Sequence, residues 1–222
     1  MNIRILYLEI LCLLLLVYPV AVPNILSNMI YNNIKHDKTK QKYSFWIFCI
    51  VFFTLTVWLP TYLLGCKSLT LINASVWHGL VGILAAPLLI IVEILVGILA
   101  SLAAKKKIGE ITVDERIGKE SPFIWLCVIL VAILEELLFR GICFEILGSL
   151  DVNIYVCIVI SALLYAINHC HEGVVTTLQK VLTGAFLASM YVLSGYNIIV
   201  PILAHVFENV ILIVWSKRKN EG

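Results

Sequence analysis

Phe123–Gly148 reads FIWLCVILVAILEELLFRGICFEILG, an apolar run long enough to cross a bilayer, with Glu135, Glu136 and Arg140 in its middle. A charged side chain at the centre of a spanning helix costs roughly 2.5–3.5 kcal/mol on insertion scales. Three such charges add up to roughly 8–10 kcal/mol before any pairing. Leucine would build the same helix without that cost, and ionisable groups at such depth mark functional sites by default. The structural alternative is that these charges only clip helices together through ion pairs.

The rest of the chain has the same character. Of its 222 residues 61% are hydrophobic and 14% charged, with a mean hydropathy of +1.01. Soluble domains carry about 25% charged residues, so the expected fold is all-α: a polytopic transmembrane helical bundle. Its partner along most of the surface is the lipid bilayer, and the expected location is the cell membrane, multi-pass, in a bacterial plasma membrane. Seven cysteines occur without CxxC pairing, most of them within apolar runs (Cys49, Cys127, Cys143, Cys157), and read as packing residues. A net charge of +2 gives no basis for a nucleic-acid partner.

Hydropathy outlines about seven spans: Ile5–Pro23, Ser44–Leu64, Val76–Ala104, Pro122–Leu147, Asn153–Asn168, Thr176–Ser194 and Ile198–Trp215. Arg4 before a leucine-rich core also fits a secretory leader, but Glu9 interrupts it and no small-x-small cleavage pattern follows, so a retained helix is expected. Basic residues then set the orientation. Lys35, Lys38, Lys40 and Lys42 fall on one side together with Lys105, Lys106, Lys107, Arg116, Lys119, Lys217, Arg218 and Lys219. Arg4 and Lys67 fall on the other, so the N-terminus is expected outside and the C-terminus in the cytoplasm. The expected organisation is N-terminal helices with basic loops over 1–121, a core over 122–216 and a basic tail over 217–222. Very short connections near Asp151 and Gly195 make the last four helices an antiparallel bundle.

Glu136 and Arg140 share a helix face at i, i+4 and can neutralise each other. Glu135 is displaced by about 100°, free to face a polar cavity as a general base on water. In Ser161–Gly173, SALLYAINHCHEG, Tyr165 and His169 share a face, while His171 and Glu172 read as solvated loop residues. In Asn197–Trp215, NIIVPILAHVFENVILIVW, His205 and Asn209 share a face of an apolar helix, where both need hydrogen-bond partners. Interhelical glue is the structural alternative for that pair. Neighbouring Glu208 reads as a fourth acid of the site or a partner for a basic group. Two chemistries stay open: a zinc site of Glu135, His169 and His205 activating water, or metal-free activation by Glu135 and His169 with His205 and Asn209 stabilising an oxyanion.

In order and spacing, Glu135-Glu136-x-x-x-Arg140, Tyr165-x-x-x-His169 and His205-x-x-x-Asn209 resemble the motifs of the CAAX protease and bacteriocin-processing (Abi) family of intramembrane proteases. The resemblance covers roughly Pro122 to Trp215, and Phe139-Arg140-Gly141, Ser161-Ala162 and Pro201 are similar to the family as well. It implies an intramembrane endopeptidase acting on a membrane protein or peptide, with its site opening toward the cytoplasm. Glu135 would be the catalytic glutamate, Glu136 and Arg140 its support, His169 a helper in activating water, and His205 and Asn209 the groups that polarise the scissile carbonyl. The family's prenyl-protein members look metal-independent, so no cofactor is expected, with zinc the alternative. Tyr165 stands where the family usually has phenylalanine.

Depth poses a difficulty. Straight helices with these boundaries put Glu135 and His205 near mid-membrane and His169 near the cytoplasmic end, an offset of roughly 12 Å at about 1.5 Å per residue. The expected resolution is a fifth helix that starts later and continues past Gly173. Two other functions compete: an idle immunity or scaffold protein binding a toxin or receptor, and a proton-coupled carrier, against which no inverted repeat is visible. Glu93 is an unassigned acid that lines substrate entry or pairs with a neighbour.

Overall fold

The computed structural model describes residues 3–34, 37–66, 75–103 and 120–221. Within them the chain is all-helical, as expected: α1 (Ile3–Leu15), α2 (Ala21–Asn33), α3 (Lys38–Leu64), α4 (Val76–Ala103), α5 (Pro122–Ser149), α6 (Ile154–Ile167), α7 (Val174–Leu193) and α8 (Ile199–Glu221). Lys35, Lys67, Lys105, Lys106, Lys107, Arg116 and Lys119, used above for orientation, lie outside the described residues, as does the side chain of Lys219.

Four helices are long and apolar enough to cross a membrane: Lys38–Leu64, Val76–Ala103, Pro122–Ser149 and Ile199–Arg218. The expected single span over Ile5–Pro23 is instead two short helices. Pro19 disfavours helix at Tyr18 before it, and Val20 N–H donates to Asn168 Oδ1 at 3.3 Å rather than to a helical carbonyl. At 13 residues, α1 covers about 20 Å, short of the roughly 30 Å hydrocarbon core. It is nonetheless tied in, because Ser149 Oγ, at the end of α5, donates to buried Glu9 at 2.7 Å.

Local sequence sets the helix starts. Asp37 caps α3 by accepting from Thr39 N and Lys40 N. Ser121 caps α5, with Pro122 in the first turn. Tyr43 O–H donates to Ser121 Oγ at 2.8 Å, bringing the starts of α3 and α5 together. The larger core cluster joins α1, α3, α5, α6 and α7. It contains Cys12 of α1, Cys49 and Phe53 of α3, Leu138, Phe139 and Ile142 of α5, Tyr165 of α6 and Tyr191 of α7. Between α4, α7 and α8 the core is built of smaller side chains, Ala85, Leu89, Leu187 and Ala204. A Cβ at Gly82 would lie 2.8 Å from Val200 O, so α4 approaches α8 as only a glycine allows. Six cysteines are buried and unpaired, as packing residues would be, whereas Cys170 is exposed.

Two features of the second half position the functional groups. The helix α5 passes through a π turn at Leu137–Ile142, and Phe139 O there accepts the buried Ser161 hydroxyl of α6 at 2.8 Å. The helix α6 has only 14 residues and ends at Ile167. It therefore runs back beside the C-terminal half of α5 and stops level with that helix's middle. The expected continuation past Gly173 does not occur: a 3₁₀ turn at Cys170–Glu172 follows, and Gly173, at φ 111, redirects the chain into α7.

Candidate active site

Glu135 and Glu136 sit at the middle of α5, both buried. As the i, i+4 spacing suggests, Arg140 Nη1 donates to Glu136 Oε1 at 3.0 Å. Its Nη2 reaches across to α7 and donates to Gly184 O at 2.9 Å. The guanidinium also stacks on the Tyr165 ring, 4.8 Å from its centroid. With no exposed surface, Arg140 depends on these three contacts to offset its desolvation.

Glu136 Oε1 receives a second partner, His205 Nδ1, at 2.8 Å. Paired with Arg140, Glu136 is a carboxylate and can only accept, so Nδ1 carries the proton and Nε2 faces away from it. That Nε2 lies 3.9 Å from Glu135 Oε2. On the opposite side His169 presents its own Nε2, 3.9 Å from Glu135 Oε1, and holds Nδ1 3.1 Å from Glu172 Oε1. Each oxygen of Glu135 thus faces one imidazole nitrogen across a gap too wide for a direct hydrogen bond and suited to a bridging water. His169 Nε2 is buried and lacks any other partner. The Tyr165 ring lies edge-to-face with both imidazoles, at 5.1 Å and 5.9 Å, and so separates and orients them.

The expected offset of Glu135 and His169 is absent. Because α6 is measured against the C-terminal half of α5, its end meets Glu135 without any extension. A cavity of about 440 Å³ adjoins the group and is lined by Glu135, His169, Glu172, Lys180, His205 and Asn209. Apolar lining comes from Ile124, Val128, Val131 and Ala132, on the turns of α5 before Glu135, and from Leu212 of α8. Toward the rim stand Trp46, Trp125 and the Lys42–Glu120 ion pair, with Lys217 over the Trp125 ring at 5.7 Å. The six side chains singled out from the sequence therefore converge: Glu135, His169, His205 and Asn209 line the cavity, Glu136 lies behind His205, and Arg140 behind Glu136.

Other residues were missed or misread. Glu172 is exposed in the turn after α6, as a solvated loop residue would be, but it also bonds His169 and lines the cavity. Burial raises its carboxyl pKa, but the hydrogen bond from His169 and the charges of His169, Lys180 and His171 outweigh this and hold it below the usual range. Lys180 of α7 was overlooked, although the rule applied to Glu135 covers any charge in an apolar span. Its Nζ donates to Glu93 Oε1 at 2.6 Å, which gives Glu93 its partner, and Gln179 Nε2 donates to Glu93 O at 2.8 Å. Glu208 is buried beside this pair, with Oε1 unpartnered.

Tetrahedral zinc with bonds of about 2.1 Å places ligand atoms about 3.4 Å apart. Here both nitrogen–oxygen pairs are wider, and the two imidazoles face different oxygens of Glu135. Among the described residues no group of three or more His, Cys, Asp or Glu is arranged to hold a metal ion.

Residues 118–211 match the family model described as Rce1-like, type II CAAX prenyl endopeptidase Rce1-like. No curated protein and no solved structure matches the chain. The matched segment contains Glu135, Glu136, Arg140, Tyr165, His169, Glu172, Lys180, His205 and Asn209.

Proposed function

We propose that this chain, whose residues 118–211 match the Rce1-like CAAX prenyl endopeptidase model, is a member of the CAAX protease and bacteriocin-processing family and hydrolyses a peptide bond through a water activated by Glu135 and His169. Membership implies an intramembrane endopeptidase; the assignment of residues is our own reading. The observation that carries it is the placement of two imidazole Nε2 atoms, each 3.9 Å from a different oxygen of one buried carboxylate beside a cavity.

In this reading a water lies between Glu135 Oε1 and His169 Nε2. Glu135 takes a proton as the water oxygen bonds to the scissile carbonyl carbon. His205, as an imidazolium with Nδ1–H given to Glu136, donates Nε2–H to the developing oxyanion, and the Asn209 amide supplies a second donor. Glu135 then returns its proton to the leaving amine as the C–N bond breaks, leaving a carboxylic acid and a free amine. The apolar lining from α5 and α8 is suited to the side chains of a membrane-associated protein or peptide. Basic Lys42 lines the cavity, and Lys38, Lys40, Lys217 and Arg218 lie at the same ends of α3 and α8; by the positive-inside rule this end faces the cytoplasm, and a bacterial plasma membrane is the location we propose. The setting, maturation of a peptide signal or bacteriocin or immunity to one, rests on the family resemblance alone.

The test is cleavage of membrane-anchored peptides by the reconstituted chain, read by mass spectrometry, for wild type and Glu135→Ala, each with and without a chelator. Loss of a general base is expected to lower turnover by about 10²–10⁴-fold, with wild-type turnover insensitive to the chelator. Undiminished cleavage by Glu135→Ala would remove this reading in favour of a binding or scaffold role. Chelator-sensitive cleavage would return Glu135, His169 and His205 to a zinc-dependent scheme.

A further inference from the structure

His169 and His205 face the same carboxylate but are held very differently. His205 lies in the middle of α8, 4% exposed, with Glu136 on its Nδ1. His169 lies beyond the end of α6, in the turn that leads to α7, and its side chain is 17% exposed. Helical backbone does not fix its ring. What stands against it is the Tyr165 edge at 5.1 Å and the Glu172 carboxylate at 3.1 Å.

The turn itself brings Glu172 there. Glu172 N–H donates to His169 O at 3.0 Å and Gly173 N–H to Cys170 O at 3.3 Å, closing a 3₁₀ turn. In 3₁₀ geometry side chains at i and i+3 eclipse, so Glu172 stands over His169 where an α-helix would rotate it away. Gly173, at φ 111, permits the chain to leave the turn directly into α7. The result mirrors the His205 side, with a carboxylate on Nδ1 and Nε2 left for Glu135.

From this geometry, and resting on the functional reading above, we infer that Glu172 is a positioning residue, which fixes His169 as the Nδ1–H tautomer and aims its Nε2 at the water on Glu135. Glu172 touches neither water nor peptide in this role. It acts through His169, much as buried carboxylates orient imidazoles in other hydrolytic and metal sites. Its half-exposed side chain contributes little to folding, so the effect on turnover separates from any effect on stability.

The experiment compares Glu172→Ala, Glu172→Gln and Glu135→Ala with wild type in the reconstituted cleavage assay. For Glu172→Ala, kcat is expected to fall by about 10–100-fold, the usual effect of losing such an orienting partner. KM and the melting temperature should stay at wild-type values. Glu172→Gln keeps an amide oxygen that accepts Nδ1–H and should recover most of the lost kcat. In ¹⁵N-histidine-labelled protein the His169 signals, assigned with His169→Ala, should shift from one tautomer to a mixture in Glu172→Ala. Wild-type kcat in Glu172→Ala, an equal loss in Glu172→Gln, or an unchanged tautomer would each overturn the inference while leaving Glu135 in its role. Undiminished turnover in Glu135→Ala would instead overturn the functional reading itself.

Discussion

Arg140 shows how a single side chain connects the fold to the site. It gives Nη1 to Glu136 on its own helix and Nη2 to Gly184 O on α7, and it lies on Tyr165 of α6. Arg140→Ala would leave the buried Glu136 carboxylate with His205 as its remaining partner and without the guanidinium. The expected loss is about 3–5 kcal/mol, measured by denaturant or thermal unfolding in detergent. Arg140→Lys keeps the charge but loses the fork that reaches two acceptors, so it should fall between the two. The i, i+4 pair was legible from spacing alone, and so was the separate direction of Glu135. The bond from His205 to the same oxygen of Glu136 was not, because residue spacing relates positions on one helix and is silent across three. Glu172 was passed over for a related reason: an i+3 glutamate after a histidine looks like any solvated turn until 3₁₀ geometry eclipses the two.

Among the elements, α6 decides where the site lies. The hydropathy span Asn153–Asn168 matches it to within a residue, whereas the later start and continuation past Gly173 expected from depth do not occur. Its depth was misjudged because the count was made against a bilayer rather than against α5, its actual neighbour. Close packing of α6 on α7 keeps its end in place. A Cβ at Gly184 would lie 3.0 Å from Tyr165 Cδ1, 3.2 Å from Ala162 Cα and 3.3 Å from Ala162 O, two of them backbone atoms that cannot swing aside. Gly184→Ala is therefore expected to cost about 1–3 kcal/mol by overpacking, and to lower turnover by displacing Tyr165 from both histidines. At Gly148, near the end of α5, a Cβ would meet nothing within 4 Å, and the backbone is ordinary helix. Gly148→Ala should instead be neutral or stabilising by up to about 1 kcal/mol. Parallel melting curves of the two variants check both. The π turn in α5 carries no sequence signal; only the bond between Phe139 O and Ser161 shows what it accomplishes.

For the molecule as a whole, the first four helices carry none of the family's motifs, yet they share the core and close the site. Glu93 of α4 holds Lys180 of α7 next to buried Glu208 of α8, tying three helices around the cavity. Lys180→Met should destabilise by roughly 1–3 kcal/mol, between the values for exposed and fully buried pairs, since both partners are about one-sixth exposed. Adding Glu93→Gln should restore part of the loss, and a double-mutant cycle of unfolding free energies measures the coupling. Composition made the helical bundle legible, whereas this tie was hidden because its members lie on helices far apart in sequence. The early end of α6 also has an electrical meaning. The cavity reaches from Glu135 to Lys42 and Glu120 near the starts of α3 and α5, while the second half of α5 packs with α6 and α7. A transmembrane voltage is worth about 2.3 kcal/mol per charge per 100 mV over the full thickness. In the proposed mechanism protons reach Glu135 through the cavity and cross little of that voltage, so turnover in proteoliposomes is expected to be independent of membrane potential.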